Sequence, residues 1–214
     1  SGSACKFLNE YKARSKRVCL KYNFMGIVFS GVFNFGMLPS FLILDTNLKH
    51  KLMKFKISCL LFIRNNEEKI LMLKRKKSPN KGMWSPPGGK LKMNLGESPF
   101  ECAIREAKEE TNLDLVSEDL SLFGYVSEKG YEGECNWLMF LFDCKKNISA
   151  VPDEFNEGSF DFFSRNEINN INIPESDHEL IWPFYDSRSS GLWGVSADCS
   201  NQTSPKIKIE ACPI

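Results

Sequence analysis

The 214-residue chain has 42% hydrophobic and 26% charged residues and a formal net charge of +1, the make-up of a globular protein that buries a core. Near-neutrality excludes a chain that is wholly a basic nucleic-acid coat or an acidic disordered tail, since either needs a large excess of one sign. The sum hides an asymmetry: residues 1–52 hold eight Lys or Arg against Glu10 and Asp45, giving +6, while residues 53–214 hold 20 against 25, giving −5.

In chain order, the opening Ser-Gly-Ser reads as a cloning remnant. Tyr22 to Leu44 follows as 23 residues without a formal charge, preceded by KARSKR, long enough to cross a bilayer. The run also contains Asn23, Ser30, Asn34, Ser40, three Gly and Pro39. Three readings stay open: a membrane or signal segment, a strand or hairpin packed on the domain, and an extension of little structure. The last is preferred, because Met53 begins a stretch that reads as the start of a domain. The chain is therefore divided into a basic, aromatic-rich extension (1–52), a main domain (53–186) and a C-terminal tail (187–214).

Within the main domain, FKISCLLFIR (55–64) and KILMLKR (69–75) are apolar runs separated by Asn65-Asn66-Glu67-Glu68, which predicts strand, turn and strand. The loop SPNKGMWSPPGGK supplies turn residues. Ser98-Pro99-Phe100-Glu101 is a helix start, with Ser as cap, Pro at the first position and Glu three residues after the cap. The helix should run to Thr111, and Asn112 can take the left-handed conformation that ends it. Strands are predicted at 122–128, 136–143 and near 159–163, with a short helix after Pro174. Residues 187–205 are rich in Ser and Gly and read as loop, whereas Lys206 to Glu210 alternates as a strand does. The cysteines at 5, 19, 59, 102, 135, 144, 199 and 212 form no C-x-x-C pair, and His50 and His178 are the chain's two histidines. That is poor material for zinc and suits free thiols in a reducing compartment, with a cytoplasmic location expected.

The helix after Ser98 carries the chemistry. Phe100, Ala103, Ile104, Ala107 and Thr111 recur at helical spacing and are expected to face the core, leaving Glu106, Glu109 and Glu110 on a side turned away from that stripe. Three carboxylates so close repel one another unless a cation joins them. An all-oxygen set suits a hard divalent ion such as Mg²⁺ or Mn²⁺. Pro87-Gly88-Gly89 upstream would let backbone approach whatever the carboxylates bind. Arg105 can pair with Glu101 or Glu109 and can reach Glu97.

The stretch GGKLKMNLGESPFECAIREAKEETNL resembles the Nudix box, G-x5-E-x7-R-E-U-x-E-E-x-G-U with U apolar. Glu97, seven residues and then Arg105-Glu106-Ala107-Lys108-Glu109-Glu110 stand in register. Gly89 precedes Glu97 by eight positions rather than six, and Asn112 replaces the second Gly; neither change touches a carboxylate. The resemblance implies an α+β Nudix fold, a mixed sheet between helices, and a Mg²⁺-dependent hydrolase of a nucleoside diphosphate linked to another group. It further implies Glu106, Glu109 and Glu110 as metal ligands with a carbonyl of Gly88 or Gly89, and Arg105 and Glu97 as their support. A box glutamate such as Glu109, or an outside acid such as Glu157, would take the proton of water. Asp177 is expected either to read a purine edge or to be a solvated helix residue, and Trp182 and Trp84 either to stack on a base or to pack. The expected substrate is a nucleoside triphosphate, with an oxidised purine such as 8-oxo-dGTP in view. ADP-ribose, a nucleotide sugar or a dinucleoside polyphosphate is the alternative, and a non-catalytic nucleotide-binding module the reading from another class. No nucleic-acid polymer is expected as partner, membrane contact is confined to residues 22–44, and the oligomeric state stays open.

Overall fold

The computed structural model describes residues 54–131, 135–201 and 205–213. The chain divides into the units Ser1–Lys51 and Leu52–Ile214, and every described residue belongs to the second. The charge-free run 22–44 and Met53 therefore lie outside the described residues. Among the described residues no helix is long and apolar enough to cross a membrane.

Strands β1 (Lys54–Arg64) and β2 (Ile70–Arg75) form where the two apolar runs predict them. The chain then passes through β3 (Trp84–Ser85) and helix α1 (Pro99–Thr111) into β4 (Leu120–Tyr131) and β5 (Cys135–Asn147). Beyond them come β6 (Gly158–Phe163), short helices α2 (Arg165–Ile168), α3 (Asp177–Leu180) and α4 (Trp182–Asp186), and finally β7 (Trp193–Asp198) and β8 (Lys206–Ala211). One mixed sheet results, in the order β3-β2-β1-β5-β4-β7-β8, with β6 also paired to β2. β1 runs parallel to β5 and β4 parallel to β7, while the remaining pairs are antiparallel. This is the expected α+β architecture.

Alternation along β1 supplies both faces of the core. Cys59, Leu61 and Ile63 join Cys102, Ala103 and Ala107 of α1 in one buried cluster. Phe62 points the other way, stacks on Tyr185 at 4.7 Å between ring centroids, and meets Trp182 edge-on at 5.6 Å. A strand buried on both sides explains why its sequence reads as a nearly continuous apolar run.

Helix α1 begins and ends for the expected reasons. The Ser98 side chain accepts from Glu101 N–H at 3.2 Å, and the Glu101 carboxylate accepts from Ser98 N–H at 2.8 Å, a reciprocal cap. Asn112 closes the helix at φ 55°, left-handed as its place in the motif requires.

Three expectations need correction. Residues 187–205, read as loop, contain β7, whose Trp193, Val195 and Ala197 are buried. Small Gly194 and Ser196 alternate with them and gave the segment a loop-like composition, whereas parallel pairing with β4 is what buries it. Second, α2 was not foreseen, although Ser164 and Glu167 form a capping box of the kind recognised at Ser98. Third, Glu110 does not turn away from the core: it is only 8% exposed, for a reason found at the glycine loop.

Candidate functional site

Residues 87–91 lie along β1. Leu61 N–H donates to the Pro87 carbonyl at 2.8 Å, Cys59 N–H to the Gly89 carbonyl at 2.9 Å, and Leu91 N–H to the Ile57 carbonyl at 3.0 Å. Helix α1 packs across this loop. A side chain at Gly88, which has φ 147°, would strike the Cys59 carbonyl, and one at Gly89 would strike the Glu106 carboxyl. The Gly88 N–H points at α1 and donates to Glu110 Oε2 at 2.9 Å, which is what draws Glu110 inward. The Gly89 carbonyl is thus engaged by β1, whereas the Gly88 carbonyl has no hydrogen bond among the described residues.

Arg105 organises the outer carboxylates. Its Nε and Nη2 donate to Glu97 at 2.6 and 2.9 Å, its Nη1 to Glu106 at 2.7 Å and to Glu109 at 3.0 Å, and its Nη2 to the Lys90 carbonyl at 3.1 Å. Glu101, the other proposed partner, is occupied with the helix cap. The Arg105 guanidinium holds the Glu97 carboxyl down at about 2. The inner glutamates go the other way: burial raises Glu106 despite Arg105, and burial with the nearby charges of Glu106 and Glu157 pushes Glu110 up to about 8, opposed in part by the Gly88 N–H. Among the described residues no three His, Cys, Asp or Glu are drawn together as a ready-made metal cage; Arg105 Nη1 instead occupies oxygens of both Glu106 and Glu109.

These groups open into a cavity of about 650 Å³ that also takes in Glu157, Asp177, Arg75 and Lys77. Glu157 stands half-exposed in the turn before β6, with Lys77 Nζ 3.8 Å away. Asp177 lines the cavity, half-buried at the start of α3, and desolvation first and the Glu128 charge second raise its carboxyl well above the usual range. Trp182 is not a base platform here. It is 1% exposed in the core, with Phe62 and Tyr185 against it and the Arg165 guanidinium 5.1 Å from its ring centroid. Trp84 likewise packs outside the cavity, edge-on to Phe163 at 4.8 Å.

The tryptophan that does line the cavity is Trp137 on β5, directly opposite Glu128 of β4, with Lys56 Nζ 4.7 Å from its ring centroid. Sequence reasoning missed both residues. A signal existed for Glu128, which falls on the same buried alternation as Gly124 and Val126; an acid in phase with the core side of a strand is unusual. Glu128 is 4% exposed, and burial pushes its carboxyl up to about 7.

The chain is similar to known proteins. The NUDIX domain family matches residues 54–183. A Nudix hydrolase of Bacillus subtilis is 29% identical over 120 residues, 56% of this chain and 73% of the relative. An ADP-ribose pyrophosphatase of Methanocaldococcus jannaschii is 33% identical over 121 residues, 56% of this chain and 66% of the relative. Among solved structures, the MutT protein of Bacillus halodurans superposes with TM-score 0.56 at 21% identity, covering 74% of this chain and 99% of that one. The NUDIX domain of Shewanella oneidensis NrtR, solved with ADP ribose, gives 0.52 at 15%, covering 64% and 88%.

The raised Glu128 carboxyl makes stability depend on pH. The folded chain holds this proton up to about pH 7 against about 4.5 for a free glutamate, so folding binds protons in that interval. The stabilisation is complete below pH 4.5 and is lost as pH rises through 7, a fall on the order of 3 kcal/mol. Denaturant unfolding at stepped pH should show this decline in the parent and a flatter profile in Glu128→Gln. An equal decline in both would contradict the assignment.

Proposed function

The chain belongs to the Nudix family, and from that premise we propose that it is a nucleoside triphosphate pyrophosphatase, releasing a nucleoside monophosphate and pyrophosphate, with an oxidised purine such as 8-oxo-dGTP within its substrate range. It is a hydrolase acting on phosphoanhydride bonds; the triphosphate is the finer reading. The observation that carries it is a single cavity holding two separate groups of side chains. Glu106, Glu109 and Glu110, with Arg75 and Lys77, suit a polyphosphate, while Glu128, Asp177 and Trp137 suit a base.

The donor set fits a hard divalent cation. Glu106 and Glu110 are carboxylates raised first by burial and then by neighbouring acids, Glu109 and Glu157 for Glu106, Glu106 and Glu157 for Glu110, and the open Gly88 carbonyl adds a neutral oxygen on the same loop. Glu106, Glu109 and Glu110 with Gly88 would hold Mg²⁺ or Mn²⁺, and Gly89 would contribute space for Glu106 rather than a ligand oxygen. Such an ion, when bound, neutralises phosphate charge and acidifies a coordinated water. Glu109, with its side chain 53% exposed at the open side, would accept a proton from water, and Glu157 is the second candidate for that step. Arg105 would keep the carboxylates aimed, anchored in turn by Glu97.

A second reading keeps this chemistry and changes the substrate to ADP-ribose, a nucleotide sugar or a dinucleoside polyphosphate. The 33% identity to the archaeal ADP-ribose pyrophosphatase favours it specifically.

A Mg²⁺-dependent panel of nucleoside triphosphates, ADP-ribose and dinucleoside polyphosphates with product identification tests the proposal. Monophosphate and pyrophosphate are expected as products, and Glu109→Gln should lower kcat about a hundredfold or more; a variant as fast as the parent refutes the role of Glu109. Residues 1–52 are proposed to be dispensable, because described residues from Cys59 to Phe160 form the buried cluster that joins α1 to the sheet. A chain beginning at Met53 should fold and keep its turnover. An insoluble or inactive product would show that the extension completes the domain.

A further inference from the structure

Beside the glycine loop lie two thiols that the carboxylate chemistry does not use. Cys59 of β1 and Cys102 of α1 are 43 positions apart in sequence, and their sulfurs stand 3.4 Å from each other. No C-x-x-C spacing marks them; the packing of α1 on β1 makes the pair. Both residues are 0% exposed. Cys144 and Cys199, also buried, meet oxygens instead, at the Lys146 carbonyl and the Glu128 carboxyl. The pair also touches the site. The Cys102 thiol lies 3.6 Å from the Gly89 carbonyl, and Arg105 Nη2 lies 3.5 Å from the Cys102 sulfur. Cys59, Gly88 and Gly89 belong to the cavity wall, so a small molecule that enters the cavity reaches the residues that cover the sulfurs.

We propose that Cys59 and Cys102 are an oxidation site and a redox-sensitive clamp: a hydroperoxide converts the dithiol to a disulfide that ties α1 to β1 and lowers turnover. The effect on turnover rests on the hydrolase reading, whereas formation of the bond does not. With hydrogen peroxide the reaction balances in two steps. One sulfur attacks the peroxide, the O–O bond breaks, a sulfenic acid forms, and the thiol proton leaves in a molecule of water. The second sulfur then attacks the first, the S–S bond forms, the S–O bond breaks, and the second thiol proton leaves with the hydroxyl as water. Two electrons pass from the sulfurs to the peroxide, which is the species reduced. At 3.4 Å the partner thiol is already in contact with the sulfur it must capture, which favours the disulfide over further oxidation. The sulfurs are in contact but not bonded, so closing the bond draws α1 and β1 together inside a packed core. Arg105, one helical turn beyond Cys102 and touching its sulfur, moves with the helix, and so do the carboxylates that it holds. A displacement on the order of 1 Å at such groups is enough to cost turnover heavily. Under reducing conditions the pair rests as two thiols.

The bond and the turnover are read separately. The full chain is treated with millimolar hydrogen peroxide, alkylated with iodoacetamide under denaturing conditions and digested without reductant. Mass spectrometry should find the Cys59 and Cys102 peptides joined, and dithiothreitol should separate them. Mg²⁺-dependent hydrolysis should fall about tenfold or more in the oxidised chain and return with dithiothreitol. Cys59→Ala and Cys102→Ala, verified as folded by thermal unfolding, should form no such bond and keep their turnover under the same peroxide; if one fails to fold, the other carries the comparison. Cys212→Ser, at an exposed thiol, should respond as the parent does. A parent whose Cys59 and Cys102 both remain open to alkylation after peroxide has oxidised Cys212 overturns the clamp. So does a joined chain that hydrolyses as fast as the reduced one, or a folded alanine variant whose turnover peroxide suppresses and dithiothreitol restores. A reduced parent that hydrolyses no diphosphate-linked nucleotide refutes the enzyme reading instead; the joined peptides and the Mn²⁺ affinity of the oxidised chain, expected to fall likewise, then decide the clamp.

Discussion

A single methyl group at Gly88 or Gly89 would collide with the Cys59 carbonyl or the Glu106 carboxyl, and the remainder of the site follows from that close approach. Because the loop has no side chains there, its backbone can bond to β1 on one side and meet α1 on the other. The carboxylates of α1 therefore arrive beside backbone, at the edge of the core, where water is scarce. Had the loop carried ordinary residues, α1 would stand further from the sheet and its glutamates would be common surface acids.

Desolvation at that contact divides the acids into two kinds. Glu97, held by Arg105 and by the Lys92 N–H at 2.7 Å, is strongly favoured as an anion. Glu106 and Glu110 resist ionisation because burial strips their hydration, and because Glu109 and Glu157 act on the first and Glu106 and Glu157 on the second. Such repulsion is relieved either by a proton kept on one carboxyl or by compensating positive charge. Arg105 supplies part of it through Glu106 and Glu109, and the proposed divalent ion would supply the remainder. The −5 of residues 53–214 thus includes a cluster whose charge the proposed divalent ion would offset.

Much of this was legible because local rules and fold agree at the helix. Ser98, Pro99 and Glu101 announce its start and Asn112 its end, and the spacing of Glu97, Arg105, Glu106, Glu109 and Glu110 marks the site before any fold is known. What escaped the sequence depends on partners far along the chain. Trp182 and Trp137 are chemically identical, yet one is enclosed by Phe62 and Tyr185 and the other lines the cavity. Glu110 was placed on the wrong side because helical periodicity does not include a hydrogen bond from a loop 22 positions earlier. Strand β7 was hidden by its own small residues, since its burial comes from β4 rather than from composition.

The central claim is that the buried carboxylates of α1 are made to hold a divalent cation against the glycine loop. Its most direct test is Mn²⁺ binding to the full chain, followed by electron paramagnetic resonance near pH 8, for the parent and for Glu110→Gln. The account predicts saturable binding by the parent and affinity weakened about tenfold or more in the variant, whose carboxyl oxygen beside the Gly88 N–H is replaced by an amide. Equal affinity in the two proteins, or no saturable Mn²⁺ binding by the parent, would contradict it.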